Sequence, residues 1–222
     1  KDAIVAVNKE DKSLAWILGD PTGWDGVDPS YFFTPEGEDF EWFYAQHNVS
    51  ILDNGDIALF DNGTAKVKRV DGDNRVSGDN VYSRAVVYQI DTENMTVSQV
   101  TEYGKERGAD WYSDWISGVV SLDGTQDHLW ITAGSHLHSD EENRSDYYPK
   151  DMFVQGLIKT THIDQVDNGE LSFELTISGD TYNALTYRSF RMPLYTEGKY
   201  DPSAVPEVLG SLGETSYEES SI

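Results

Sequence analysis

Short runs of Val, Ile, Leu and aromatic residues alternate along this chain with Asn-Gly, Asp-Gly and Asp-Asn pairs, and helical periodicity is nearly absent. Such a pattern predicts strands joined by tight turns. Two kinds of hairpin alternate. The first spans 49–60, with its turn at Asp53-Asn54-Gly55, and is echoed by 118–124 followed by 128–132. The second runs from 3–7 through Lys9-Glu10-Asp11 to 14–18. It recurs at 85–90 with 97–103, and at 157–163 with 171–177.

The first turn moves from Asp53 to Asp123, a step of 70 residues (123 − 53), and the second kind recurs after roughly 70 to 80. Two hairpins per repeat make four strands, which is the unit of a β-propeller blade. The expectation is an all-β chain forming a partial β-propeller. It would hold the last hairpin of one blade, two full four-stranded blades, and the start of another near 182–195. A ring closes with about four to eight blades. The missing blades are expected from an N-terminal portion beyond this segment, or from another chain. A plain β-sandwich is the alternative architecture.

Segments 19–46, 63–82, 104–116 and 134–151 are long and irregular, a length that marks functional or disordered loops. Tyr31-Phe32-Phe33, Phe40-Glu41-Trp42-Phe43-Tyr44 and Trp111-Tyr112 favour packed loops, and packing is preferred over an aryl-binding mouth. The propeller portion is expected to cover 1–195. The Ser-, Glu- and Pro-containing tail 196–222 has little to bury and is expected to be extended or mobile.

Charge narrows the partners. The 222 residues carry 16 Lys and Arg against 40 Asp and Glu, a formal net charge of −24. Nucleic acid needs a basic footprint and is excluded as a partner, and an anionic membrane surface is disfavoured. A small anionic substrate remains open, because a local cationic pocket outweighs net charge. With no cysteine, the chain has no disulfide, zinc thiolate or cysteine nucleophile. No apolar run is long enough for a membrane span, and no signal-peptide pattern opens the chain, which reads as a mature or truncated piece.

Imidazoles and cations are the groups that hold an anion and attack it or protonate its leaving group. His47 precedes a strand, where a blade's inner edge faces the central channel. His136 and His138 open the polar loop after 128–132. His128 follows an acidic turn, and His162 reads as part of a solvated outer strand. Lys66, Lys68, Arg69 and Arg84 supply cations. An arginine fork suits a tetrahedral oxyanion, though Arg84 reads equally well as a structural ion pair. Asp71-Gly-Asp-Asn74 lacks EF-hand spacing and reads as a solvated turn.

Several motifs in order carry a resemblance. Trp16-Ile-Leu-Gly-Asp-Pro-Thr-Gly-Trp24, Gln46-His47, Phe60-Asp-Asn-Gly63, Tyr82-Ser-Arg-Ala-Val-Val-Tyr88, Val97-Ser-Gln-Val-Thr-Glu-Tyr-Gly-Lys-Glu-Arg107, Trp111-Tyr-Ser113 and Gly134-Ser-His136 are similar to the bacterial arylsulfate sulfotransferases. The similarity is good over about 3–140 and weaker to about Tyr195. It implies a six-bladed propeller in which a histidine takes the sulfuryl group of an aryl sulfate and passes it to a phenolic acceptor. The intermediate would be a sulfohistidine, with no nucleotide sulfate donor and no cofactor. His136 matches the nucleophile, with His138 as the rival choice. His47 matches the sulfate-contacting or acid–base histidine. Arg84, Lys66, Arg69, His138 and Asn62 are the implied substrate-binding positions. Lys66 stands where the family tends to carry arginine, which loses bidentate geometry. A further family histidine would lie upstream of this chain, so the segment alone is expected to be inactive. Export to the periplasm or the outside is also implied, and homo-oligomerisation is left open.

Two other readings compete. His47, His136 and His138 together suit a three-histidine zinc site of a metal-dependent hydrolase. The alternative is a non-catalytic propeller that binds a partner through its face or edge.

Overall fold

Asn54-Gly55, Asp123-Gly124 and Asn168-Gly169 sit where strands reverse. Asn168 and Gly169 both take positive φ (52° and 83°), the two-residue turn that matches strand twist. Gly55 and Gly124 take positive φ (93° and 85°) in the two turns that start 70 residues apart (123 − 53), each directly after its Asx partner. The computed structural model describes residues 2–64, 82–138, 158–178 and 184–192. Its unit Lys1–Phe190 holds the described strands; of the unit Arg191–Ile222 only Arg191 and Met192 are described. The tail 196–222 and the Asp71–Asn74 turn lie outside the described residues.

Among the described residues every strand pair but one is antiparallel. β1 (Ile4–Val7) pairs with β2 (Leu14–Leu18). β4 (His47–Ile51), β5 (Ile57–Asp61), β6 (Arg84–Asp91) and β7 (Thr96–Tyr103) form a meander in chain order. β8 (Gly118–Ser121), β9 (His128–His138), β10 (Ile158–Asp167) and β11 (Glu170–Ile177) form a second. All five expected hairpins are present; β8–β11 is a sheet of four strands, and β4–β7 are four strands of a sheet of five. The exception is β3 (Thr34–Glu36), which lies inside a segment expected to be irregular and pairs parallel with β7. Residues 184–190 form no strand; they hydrogen-bond to β9 and β10 instead, for example Thr186 N–H to Gly134 C=O at 3.1 Å. Among the described residues there is no α-helix, and no helix is long and apolar enough to cross a membrane.

β5 shows why the sheets stack. All five of its residues are buried. Alternation sends Ala58 and Phe60 into one core with Trp111, Val119, Ile131 and Val166. Ile57 and Leu59 go to the opposite core with Leu18, Phe33, Phe43 and Tyr88. The β4–β7 sheet therefore packs on both faces, between β1–β2 and β8–β11, and truncating Phe60 to Ala would cost about 3–5 kcal/mol. Phe33, Phe43 and Trp111 are buried, so these aromatic loops pack as expected.

Candidate functional site

His47 and His136 each flank a β-bulge, His47 just before one and His136 just after the other. In β4, Asn48 and Val49 oppose one residue of β5, and Asn48 takes φ 52°. In β9, Gly134 and Ser135 oppose Thr161 of β10. An extra residue re-aims the side chains beside it. Glycine is required at the second bulge, because a Cβ on Gly134 would run into the Thr186 carbonyl oxygen.

Hydroxyls hold the second bulge in place. Gly134 N–H donates to Ser117 Oγ at 3.0 Å, and Ser135 N–H donates to Ser113 Oγ at 2.9 Å. The Ser113 and Ser117 hydroxyls meet at 2.8 Å. Ser83 Oγ accepts from Ser113 N–H at 2.8 Å and donates to the Asn62 carbonyl at 2.9 Å. These serines are buried, and each hydroxyl satisfies backbone groups that the irregular strands leave over.

One loop, 112–117, orients both imidazoles. The Tyr112 carbonyl lies 3.0 Å from His136 Nδ1. A carbonyl only accepts, so Nδ1 carries the proton and neutral His136 has its lone pair on Nε2. The Ser113 and Ile116 carbonyls accept from Asn62 Nδ2 at 2.7 and 3.0 Å. That fixes the Asn62 amide, leaving Oδ1 to accept from His47 Nδ1 at 2.7 Å, with the Ala45 carbonyl also at 3.1 Å. His47 is thus another Nδ1–H imidazole. The loop takes positive φ at Ile116 (53°) and Ser117 (88°). A β-branched residue there is strained, and such strain gathers at functional sites. Burial pushes the Tyr112 hydroxyl up to about 12, so it stays neutral at neutral pH.

His136 is only 3% exposed, and His47 is half-buried. The histidine that the sequence did not single out for this site is His162. It is 8% exposed rather than solvated, and its ring meets that of His136 at 5.3 Å and 61°. Strand alternation is the signal that identifies it, once the β9–β10 register is known. His128 lies at the surface beside Asp167 (2.9 Å) and Asp123 (3.8 Å), away from this loop's hydrogen bonds.

Arg84 resolves toward its structural reading. Its guanidinium is fully buried and every nitrogen is engaged. Nε donates to Asp61 at 3.0 Å, Nη1 to Gln99 at 3.0 Å and to Glu102, and Nη2 to the Glu41 carbonyl at 3.0 Å and Tyr88 Oη at 3.2 Å. Burial opposes its charge, but Tyr88, Asp61 and Glu102 outweigh that and hold it above the ordinary arginine range. Asp61 Oδ1 in turn accepts from Tyr44 N–H and Gly63 N–H, both at 2.9 Å. The pair therefore pins the backbone just before His47 and just after Asn62.

Lys66 and Arg69 lie outside the described residues. His138 closes β9, and its backbone alone is described. Among the described residues no three His, Cys, Asp or Glu gather as metal ligands.

Stacked antiparallel sheets and two imidazoles oriented by one strained loop define an all-β protein whose candidate chemistry is carried by histidine. The family Arylsulfotransferase (ASST) matches residues 1–188. The chain belongs to that family. Arylsulfate sulfotransferase AssT of Escherichia coli O6:H1 is 31% identical over 168 residues, covering 65% of this chain and 27% of that protein. The protein of the same name from Lelliottia amnigena has the same identity and coverage. The chain thus spans 27% of the length of these curated relatives.

Proposed function

We propose that this chain is part of a six-bladed propeller enzyme that moves a sulfuryl group from an aryl sulfate to a phenol through a sulfohistidine on His136. The observation that carries the reading is the 3.0 Å contact of His136 Nδ1 with the Tyr112 carbonyl, which makes Nε2 the nucleophilic nitrogen. Nε2 attacks sulfur, the N–S bond forms, and the bond from sulfur to the aryl oxygen breaks. With Nδ1 still protonated, the sulfated ring is cationic and remains a good leaving group for the second step. The phenol oxygen then attacks sulfur, and the N–S bond breaks.

His47 handles the proton. Asn62 Oδ1 accepts from Nδ1 whether the ring is neutral or charged, so Nε2–H of the charged ring protonates the departing phenolate. The neutral ring then takes the proton of the acceptor phenol. Near-complete enclosure of His136 shields the intermediate from water. The charge on the sulfuryl oxygens is assigned to Lys66 and Arg69 on sequence grounds, since Arg84 is engaged elsewhere.

Sheets β4–β7 and β8–β11 are read as two blades. Their corresponding turns are joined by Asp53 N–H to Gly124 C=O at 2.9 Å, and Leu171, Phe173, Leu175 and Ile177 leave one face of β11 open to a further sheet. The protein is assigned to an exported compartment, which fractionation of cells making the full-length protein tests.

Steady-state kinetics of the full-length protein with varied donor and acceptor test the reaction. Parallel double-reciprocal lines are expected, as a covalent intermediate requires. Intersecting lines of a ternary complex would overturn it.

A further inference from the structure

His162 stands one strand away from His136. Thr160 pairs with His136, and past the bulge His162 pairs with Ala133. Residues 160 and 162 share a face by alternation, and His136 shares it as the partner of Thr160. The two rings meet edge to face, with centroids 5.3 Å apart. On the far side, His162 Nδ1 lies 3.3 Å from Oγ1 of Thr176, its pairing partner on β11. The Tyr112 carbonyl, His136, His162 and Thr176 therefore form one row across three strands.

A ring fixed by one hydrogen bond at Nδ1 can still turn about its bond to Cβ, which moves Nε2 off its target. An edge packed against the ring closes that rotation. We propose that His162 is a positioning residue: it holds the His136 ring so that Nδ1–H stays on the Tyr112 carbonyl and Nε2 faces the incoming sulfuryl group. What His136 does rests on the transfer reading above; how its ring is held does not. Thr176 sets the orientation of His162 through its hydroxyl.

The test is 15N NMR of histidine-labelled full-length protein, with the His136 signals assigned by their loss in His136→Ala, alongside steady-state kinetics. Wild type is expected to show His136 as one Nδ1–H tautomer. In His162→Ala, His136 should divide between tautomers and kcat should fall by at least about 10-fold, with KM changed by no more than about twofold. His162→Phe, which keeps the packed edge, should recover most of that loss. Thr176→Val should move tautomer and kcat in the same direction by less. The proposal is overturned if His162→Ala keeps the wild-type tautomer and kcat, or if His162→Phe loses as much rate as His162→Ala with the tautomer intact. Should His162→Ala not fold, Thr176→Val decides: a mixed tautomer supports the role, and a wild-type tautomer with wild-type kcat overturns it. A tautomer shift in a protein whose wild type forms no sulfuryl adduct keeps the positioning role and overturns only the transfer reading.

Discussion

Asn62 Oδ1 and His47 Nδ1 lie 2.7 Å apart, and the same amide reaches back through Nδ2 to the carbonyls of Ser113 and Ile116. A single buried side chain thus ties the histidine of one sheet to the loop that orients the histidine of the next. Asn62→Ala removes the amide donor from both carbonyls and leaves the His47 ring N–H only the longer contact with the Ala45 carbonyl, a loss of about 1–3 kcal/mol. Asn62→Asp is expected to be worse, because a carboxylate would face two carbonyl oxygens. Denaturant unfolding of the two variants checks the order.

Ser113 accepts from Ser135 N–H, next to His136, while its carbonyl serves Asn62. Ser113→Ala removes only the hydroxyl and so unties the β9 bulge while sparing the Asn62 anchor. Stability is expected to fall by about 1–3 kcal/mol, and kcat should fall with KM little changed. A KM effect without a kcat effect would place the serine in donor binding instead.

Arg84 and the pair Lys66 and Arg69 separate by their readouts. Arg84→Met leaves the buried Asp61 and the half-buried Glu102 without their cation, an expected loss of about 3–5 kcal/mol. Lys66→Met and Arg69→Met are expected to raise KM for the aryl sulfate at unchanged melting temperature. Thermal unfolding together with donor titration checks both halves.

Much of this was legible in the chain because it is local. Asx-Gly turns specify β4–β5 (47–61) and β10–β11 (158–177), and a short polar turn specifies β6–β7 (84–103), each within a single local stretch of chain. His47, Asn62 and His136 lie in contiguous motifs, and the structure links them through loop 112–117. What was hidden depends on distant pairing. β3 joins β7 across 62 residues (96 − 34), with only three residues to signal it. His162 looked solvated because its neighbours Thr160 and Thr161 are polar, yet those hydroxyls are buried as well. Arg84 was ambiguous because sequence gives a cation without its partners, and burial among carboxylates decided it.

Asp164 gives the stability a pH dependence of unusual sign. Burial pushes its carboxyl up to about 6, against the pull of Arg107 at 2.8 Å and the Tyr103 hydroxyl at 3.1 Å. The folded protein then holds this proton more tightly than the unfolded chain does. That stability is full below about pH 4 and is lost as pH rises through about 6. The advantage of Asp164→Asn over wild type should therefore grow from pH 4 to 7 by on the order of 3 kcal/mol. Denaturant titrations at each pH measure the difference; a flat difference would mean that Arg107 keeps the carboxylate charged throughout.

The covalent intermediate on His136 is tested most directly by intact-protein mass spectrometry of the full-length protein, mixed with an aryl sulfate and no acceptor. The expected result is a gain of one sulfuryl group that is absent in His136→Ala and kept in His138→Ala. An adduct that survives in His136→Ala, or no adduct in a protein whose activity chelators abolish, would contradict it.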